Sequence, residues 1–254
     1  MKKTTAYPAL VLSLLLSSSL FAQEKVQTAM AVKVTQAMKS DIRANSEIDR
    51  DRNRKPVQTL DFLSITPDMK VLELIPGGGW YTKLLAPSLR ESGELHVAIG
   101  VTRIKNNVLK LTGMDKVSVL EPEVEISDGK DNLRTINAFS LEEKNFDAVL
   151  TFRNMHNFDA AGRANINNAV FNALKKGGVY GVVDHTRRHM EPINSENRRR
   201  ADPVTIIKEL LDSGFEFVGY SNLHFKSDDE LRFEVGRKTV TGNSDRFTFL
   251  FKKP

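Results

Sequence analysis

The stretch VLELIPGGG, residues 71–79, decides the fold of this chain. Its first five residues are apolar apart from one glutamate, which is typical of a short strand buried in a sheet. The segment PGGG at 76–79 then ends the strand, and a helical pattern follows. A loop without bulky side chains lets a ligand approach the backbone, and the start of the next helix presents unpaired N–H groups. The stretch therefore predicts a ligand site, although three glycines alone are also compatible with a purely structural turn.

Strand-like and helix-like segments alternate from this loop to the end of the chain. The apolar runs that predict strands are Val71–Ile75, Leu95–Ile99, Val117–Leu120, Ala148–Phe152, Val179–Val183, Phe215–Tyr220 and Arg246–Lys252. The last run is expected at an edge of the sheet, and Leu133–Ile136 competes with Val117–Leu120 for the third strand. A helix marked by Ile166 to Leu174 is expected to end at Gly177 and Gly178. This alternation predicts an α/β fold with a doubly wound, mostly parallel sheet and helices on both faces.

The amino-terminal segment is predicted to have a separate role. Residues 1–22 carry two lysines, an apolar run and the small residue Ala22 before Gln23, which are the features of a cleavable secretory signal peptide. The bulky Leu20 leaves an uncleaved anchor as the alternative. We therefore divide the chain into a signal peptide at 1–22, an N-terminal helix at 23–48 and a single domain at 49–254. We expect a periplasmic or secreted protein with no membrane span in its mature chain.

Composition limits the chemistry of the chain. Its 254 residues include no cysteine, which excludes disulfides, thiolate metal ligands and cysteine nucleophiles. The formal net charge is +5, and +3 without the two lysines of residues 1–22, which is too small to indicate nucleic-acid binding. With 40% hydrophobic residues, the chain can form a full core of its own.

Several segments resemble the class I methyltransferases that use S-adenosylmethionine. Residues 71–79 are similar to the first motif of that family, 146–150 to its fourth strand and 174–184 to its LKxGG turn and fifth strand. More narrowly, residues 54–87, 150–158 and 244–254 are similar to a group of exported predicted methyltransferases. The resemblance implies a seven-stranded Rossmann-like sheet, a methyltransferase-like domain over 49–254, S-adenosylmethionine as cofactor and a small-molecule methyl acceptor that the sequence does not identify.

The resemblance also implies which residues bind the cofactor. Glu73 would hydrogen-bond the amino group of the donor, and the glycines would let the backbone approach its methionine part. The implied cofactor-binding set is Glu73, Ile75, Gly77, Gly78, Gly79, Trp80, Tyr81 and Gly100. In the alternative, Glu73 accepts hydrogen bonds from nearby N–H groups of the protein and does not bind the donor. Trp80 and Tyr81 wall the pocket or stack on the sulfonium, or else they only pack a helix on the sheet.

Two departures from the family pattern concern this same set. Ile75 stands where the family has its first glycine, and its branched side chain stiffens the turn. The segment Ile99–Thr102 has no carboxylate at the position where the family usually holds both ribose hydroxyls. Arg103 close by would suit a phosphate, as in a phosphorylated dinucleotide.

Candidate residues for the acceptor follow the later strands. Methyl transfer to oxygen or nitrogen often needs a proton removed, and histidine titrates near neutral pH. His156, Asn154 and His185 are therefore the catalytic candidates, and Arg153, Asn157 and Asp184 are the substrate-binding candidates. In the alternative, these side chains satisfy loop carbonyls and Arg153 pairs with a carboxylate. His185 and His189 have the spacing of a helical metal pair, but no third ligand is clear, so no metal site is predicted.

Two charged runs lie outside these motifs. Arg198–Arg200 suggests either a solvated basic face or part of a substrate cover. The run Asp49–Lys55 is expected to form mutual ion pairs, and the resemblance places it near the mouth of the pocket.

Three functional hypotheses follow. The first is a methyltransferase that binds S-adenosylmethionine and methylates a small molecule. The second is a non-catalytic exported ligand-binding protein with a degenerate form of the same fold, for which Ile75 and the missing carboxylate are the signals. The third is a dinucleotide oxidoreductase, which only Arg103 suggests.

Overall fold

The computed structural model describes Met1 and residues 27–254. The predicted signal peptide, apart from Met1, and the first residues after its predicted cleavage site lie outside the described residues. Within the described part of the chain, no helix is both long enough and apolar enough to cross a membrane.

Nine strands and seven α-helices form the described domain. The strands are β1 (Lys70–Leu74), β2 (Glu94–Ala98), β3 (Val117–Leu120), β4 (Ile126–Asp128), β5 (Arg134–Ile136), β6 (Phe146–Phe152), β7 (Leu174–His185), β8 (Glu216–Tyr220) and β9 (Arg246–Lys252). The helices are α1 (Ala29–Ala37), α2 (Asn45–Ile48), α3 (Asp51–Arg54), α4 (Pro56–Phe62), α5 (Thr82–Leu89), α6 (Ala160–Ala173) and α7 (Pro203–Asp212). A short π-helix, Ile104–Val108, follows β2.

Seven of the strands form one sheet in the order β3-β2-β1-β6-β7-β9-β8. The first five strands of this order pair in parallel, and β9 is antiparallel to both of its neighbours. The chain reverses its direction of winding between β1 and β6, and parallel α/β sheets bind ligands at the carboxyl ends of strands beside such a point. The predicted doubly wound, Rossmann-like, mostly parallel sheet of seven strands is confirmed.

Helices cover both faces of the sheet, as predicted. On one face, Leu72 and Leu74 of β1 belong to an apolar cluster that includes residues of α6 and α7. On the other, Val71 belongs to a cluster that includes residues of α1, α4 and α5. Glu73 shares the alternation of Val71, so its side chain is directed to this second face. Every residue of β1 after Lys70 is buried, which explains the apolar run in the sequence.

The structure corrects two sequence-based assignments and decides between the two candidates for the third strand. The run Arg246–Lys252 is not an edge strand, because it lies between β7 and β8, and β8 is the edge. The helix before β7 ends at Ala173 rather than at Gly177, and β7 begins directly at Leu174. The third strand is Val117–Leu120, whereas Arg134–Ile136 pairs with β4 in a separate hairpin.

The predicted N-terminal helix at 23–48 is realised as two shorter helices over its described part. The first, α1, begins after the cap Thr28 and ends at Ala37, and the second, α2, spans Asn45–Ile48. Met30 and Val34 of α1 are buried in the same cluster as α4 and α5. The N-terminal helix is therefore part of the core of the domain.

Candidate functional site

A cavity of about 310 Å³ opens where β1 and β6 end. Residues 76–78 of the glycine loop line it, together with the end of β6 and the first residues after it. Charged side chains from the α2–α3 segment also line it. We call this space the loop cavity. It lies at the place where the topology predicts a ligand.

The glycines of the loop have different structural roles. Gly77 and Gly79 have φ of +61° and +77°, which favours glycine. A Cβ atom added at Gly77 would meet nothing within 4 Å, whereas one at Gly79 would lie 2.8 Å from Cγ2 of Val108. Gly79 is thus required for packing against the π-helix, and Gly77 leaves open space beside the cavity. Gly78 also lines the cavity.

Ile75 lies in the cavity wall in a conformation that is strained for a branched residue. Its φ is +51°, and a β-branched side chain is rarely found in the left-handed region. Asn154 stabilises this turn, since its Nδ2 donates hydrogen bonds to the carbonyl oxygens of Leu74 and Ile75, both at 3.2 Å. Ile75 narrows the cavity without filling it. Asn154, predicted to be catalytic, supports the shape of the loop.

Glu73 is almost fully buried at the base of the loop cavity, with 2% of its surface exposed. The hydroxyl of Thr82 donates a 2.6 Å hydrogen bond to its Oε2. Burial raises the pKa of Glu73 to about 8, against the opposing effects of Thr82 and Arg54. The side chain therefore enters the cavity mainly as a neutral acid at pH 7.

Trp80 and Tyr81 are both buried in the wall of the cavity. The guanidinium of Arg54 lies 4.4 Å from the centroid of the Trp80 ring, and that of Arg43 lies 5.2 Å from it. Tyr81 stacks on Phe152 with 3.5 Å between ring centroids. Cations and a phenyl ring of the protein thus already engage these aromatic rings, which favours a packing role over stacking on a sulfonium.

The loop after β2 carries no carboxylate into the cavity. Ile99 and Gly100 have φ of +65° and +66°, so the chain turns sharply there. A Cβ at Gly100 would meet nothing within 4 Å, but Gly100 does not line the loop cavity. Arg103 is the residue from this loop that does. The carboxyl groups that line the cavity are Glu47 and Glu73, and Glu47 is paired with Lys83 at 2.8 Å.

A second cavity, of about 220 Å³, adjoins the first. Arg50, Arg54 and Arg153 line both spaces, and Arg246 and His185 line the second. We call this space the arginine cavity. The predicted ion pairs within the run Asp49–Lys55 are absent among the described residues, where Asp51 pairs instead with Arg43 at 2.6 Å.

His185 is fixed in the arginine cavity as a neutral ring. Its Nε2 accepts a 2.9 Å hydrogen bond from Nε of Arg153, so its Nδ1 carries the proton and lies 2.9 Å from the hydroxyl of Ser244. Burial, followed by the repulsion of Arg246 and Arg153, lowers the pKa of His185 well below its usual value. With its lone pair already engaged, His185 orients Arg153 and has no free nitrogen to act as a base.

His156 forms a dyad with Asp184 away from the loop cavity. The ring Nδ1 lies 2.5 Å from Oδ1 of Asp184, and the backbone N–H of His156 donates to Oδ2 at 3.0 Å. His156 lines two other spaces, of about 230 and 150 Å³, and Asn157 lines the smaller. The dyad has the arrangement in which a carboxylate orients an imidazole for proton transfer. Arg200, in the wall of both spaces, is buried and bidentately paired with Asp229 at 2.9 Å rather than solvated.

Apart from Gly79 and Gly100, which do not line the loop cavity, the predicted site residues fall into three groups. Glu73, Ile75, Gly77, Gly78, Trp80, Tyr81, Arg153 and Asn154 line the loop cavity. His185 lines the arginine cavity, while His156 and Asn157 border separate spaces and Asp184 is completely buried behind the dyad. The sequence did not identify Glu47, Phe152 and Arg246 as lining residues. The charged segments around residues 47 and 246 were the features from which two of them could have been predicted.

Comparisons with known proteins identify solved structures that are similar to this chain. No family model matches the sequence, and no curated protein matches it. The SAM dependent methyltransferase from Aquifex aeolicus is 13% identical, with 88% of this chain and 98% of that chain covered and a TM-score of 0.57. The glycopeptide N-methyltransferase MtfA is 17% identical, with 80% and 97% covered and a TM-score of 0.52. The cyclase SpnF is 13% identical, with 89% and 93% covered and a TM-score of 0.56.

These likenesses establish the class I, Rossmann-like methyltransferase fold for this chain. They do not fix the reaction, because one of the similar proteins is a cyclase. MtfA also matches in its structures with sinefungin and with S-adenosylhomocysteine, at TM-scores of 0.52 and 0.50.

Proposed function

We propose that this chain is an S-adenosylmethionine-dependent methyltransferase that acts on a small molecule. The observation that carries the proposal is the loop cavity, which lies at the carboxyl ends of β1 and β6 beside a glycine with open space in place of a side chain. Similar folds include methyltransferases, and MtfA of this fold is known with sinefungin and with S-adenosylhomocysteine.

The cavity suits the methionine end of the donor better than its ribose. Arg54, whose side chain donates no hydrogen bond to the described residues, offers a cationic group for the methionine carboxylate, and the open backbone at Gly77 permits close approach. Glu73 could accept from the donor's ammonium group once it has lost its proton. No carboxylate follows β2 to hold the ribose hydroxyls, so the ribose would depend on backbone groups and on Glu47.

When bound, the donor supplies an electrophilic methyl group. The chain's own residues shape the place where an acceptor meets it: Asn154 holds the loop, and His185 holds Arg153. The described residues of the loop cavity include no histidine, so an acceptor that still has a proton to lose would need a base from elsewhere, for which the His156–Asp184 dyad is the candidate.

A pair of matched glycine substitutions tests donor binding. Gly77→Asn places a side chain beside the cavity, whereas Gly113→Asn changes a glycine that also has a positive φ and open surroundings but does not line the cavity. Asparagine tolerates this backbone region, so both variants should fold. We expect calorimetric titration to show donor binding to the native protein and to Gly113→Asn, and at least about tenfold weaker binding to Gly77→Asn.

Absence of any heat with millimolar donor, in native protein whose circular dichroism shows a folded chain, would remove the methyltransferase proposal. Equal weakening in both variants would show that the effect comes from backbone strain and would locate the donor elsewhere.

A non-catalytic ligand-binding protein is the second candidate. The missing carboxylate after β2 and the placement of His156 outside the loop cavity favour it. Mass spectrometry of small molecules that remain bound during purification distinguishes the two candidates. Recovery of S-adenosylmethionine or S-adenosylhomocysteine supports the enzyme, and recovery of an unrelated ligand with no donor binding supports the binding protein.

We also propose that the protein is exported to the periplasm or the exterior by its first 22 residues. The support is the order of lysines, apolar run and small residue in the sequence. Fusion of residues 1–30 to a reporter that is active only outside the cytoplasm tests the proposal. A silent fusion, with an active control fusion carrying a known signal, would contradict it.

A further inference from the structure

The arginine cavity contains more positive charge than the protein itself neutralises. Arg50, Arg54, Arg153 and Arg246 line it, and it adjoins the loop cavity through the first three. Arginines that serve only the fold normally donate to carboxylates or carbonyl oxygens, because a buried guanidinium without partners is costly.

Three of these arginines leave most of their donors unused. Arg54 is only 8% exposed, and its side chain donates no hydrogen bond to any residue within 27–254. Arg246 is 9% exposed; its Nη1 donates to the carbonyl of Asn53 at 2.9 Å, but its buried Nε has no partner among the described residues. Within the described part of the chain, Arg153 donates only from Nε, to His185. Arg54 and Arg153 line both cavities, and Arg246 lines the arginine cavity.

The nearby carboxylates do not balance the cluster. Asp184 acts on Arg153 and Arg246, and Asp245 acts on Arg246, but neither forms an ion pair within 4 Å with them. Asp184 is already hydrogen-bonded by His156 and by the backbone of His185. Four guanidinium groups facing two carboxylates leave an excess of about two positive charges.

The remaining acidic groups do not change this balance. Glu47 is held by Lys83, and Glu73 is mainly protonated near neutral pH. Burial, and then the repulsion of Arg153, lowers the pKa of Arg54 to about 9 and that of Arg246 to about 10. The arginines therefore repel one another in the folded protein, and an anion between them would relieve this repulsion.

We propose that the arginine cavity binds an oxyanion group with two negative charges, either a phosphate or a pair of carboxylates, carried by the small molecule that the protein acts on. The identification of this molecule as a methyl acceptor rests on the proposed function, whereas binding of the anion does not. The three shared arginines would place the anchored molecule next to the loop cavity, with its uncharged part directed toward Gly77 and Ile75.

His185 is a positioning residue in this arrangement. Its Nε2 accepts from Nε of Arg153, which fixes the plane of the guanidinium and leaves both terminal nitrogens free to form a bidentate contact. The hydroxyl of Ser244 fixes the ring in turn.

The test uses inorganic phosphate and succinate as separate probes with the purified chain. Calorimetry and thermal unfolding are measured with about 10 mM of each anion, and chloride at equal ionic strength serves to correct for screening. We expect saturable binding and a raised melting temperature with at least one anion. Binding of phosphate alone indicates a phosphorylated molecule, and binding of succinate alone indicates a dicarboxylate.

Matched arginine variants locate the site. Arg50→Met and Arg153→Met remove guanidinium groups from the cavity, whereas Arg52→Met removes an exposed arginine of α3 that lines neither cavity. We expect at least about tenfold weaker anion binding for the first two and less than about twofold for the third, because a charge-assisted hydrogen bond contributes that much. Arg50 is exposed, so its variant should fold even if Arg153→Met does not.

Failure of both anions to bind, or equal weakening by Arg52→Met, would overturn the proposal. Either result is separable from failure of the proposed function, because donor binding is measured on the same preparations without any added anion.

Discussion

Glu73 combines a buried carboxyl with a single hydroxyl partner, and this makes its contribution to stability depend on pH. Its folded pKa of about 8 lies above the usual 4.5. Below about pH 4.5 both states are protonated and there is no penalty. Between about pH 4.5 and 8 the unfolded chain loses a proton that the folded chain keeps, so Glu73 makes stability fall as pH rises. We expect Glu73→Gln to be more stable than the native protein at pH 8 by up to a few kcal/mol, and by much less at pH 5.

Urea denaturation at the two pH values measures this difference. Glu143→Gln is the control: a hydrogen bond from Lys70 lowers the pKa of Glu143 below its usual 4.5, so the native carboxylate is favourable at both pH values and its loss should lower stability about equally at pH 5 and pH 8. A Glu73→Gln variant that gains no stability at pH 8 relative to pH 5 would contradict the burial of an uncompensated carboxyl at this position.

At the residue scale, the sequence predicted the loop well and the charges poorly. The departure at Ile75 was visible in the sequence, yet the left-handed turn that it adopts depends on Asn154, which lies 79 residues away. The run Asp49–Lys55 suggested mutual ion pairs because its charges alternate in sequence. A short helix and its tight exit at Lys55 separate these groups in space, and Arg54 turns inward.

Helix α1 is expected to contribute to the stability of the whole domain rather than to fold as an appendage. Met30 is 1% exposed and lies in the cluster shared with α4 and α5, whereas Val32 on the same helix is 52% exposed. We expect Met30→Ala to lower the free energy of unfolding by about 2–5 kcal/mol, because it leaves a cavity in the core. Val32→Ala should change it by less than about 0.5 kcal/mol.

Chemical denaturation followed by the fluorescence of Trp80 measures both variants. Trp80 belongs to the same cluster, so a single transition that shifts only for Met30→Ala is the expected result. A separate early transition for the N-terminal helices would instead support an independent N-terminal segment.

At the element scale, apolar runs predicted strands because parallel strands are buried on both faces. The pattern of apolar residues does not reveal the position of a strand in the sheet. Phenylalanines occupy every second position of β9, as in an exposed edge strand, but β7 and β8 on either side of β9 bury it. The predicted boundary between α6 and β7 was wrong for a related reason. Lys175, Lys176 and Gly177 resemble a helix end, while the structure places them in a bulged start of β7.

At the scale of the whole molecule, distant segments position the arginines. Nε2 of His224 lies 3.0 Å from the carbonyl of Arg54, and its Nδ1 lies 2.7 Å from the hydroxyl of Thr248 in β9. Arg246 of the same strand donates to the carbonyl of Asn53. These contacts join positions 170 and 193 residues apart, so no local pattern could predict the arginine cavity.

This link through His224 also predicts sensitivity of the fold to acid. Burial lowers the pKa of His224 from 6.5 to about 4. Above about pH 6.5 the ring is neutral in both states, and between 6.5 and 4 the unfolded chain takes up a proton that the folded chain does not, so stability falls as pH falls. The lost free energy of unfolding amounts to roughly 3 kcal/mol for His224, and His185, whose pKa is also lowered, acts in the same direction.

Urea denaturation at pH 7 and pH 4.5 should therefore show a smaller decrease in the free energy of unfolding for His224→Gln than for native protein. His189→Gln, which changes a half-exposed histidine, should keep the native decrease. Equal decreases in the native protein and in His224→Gln would mean that the ring is not held neutral between Arg54 and Thr248.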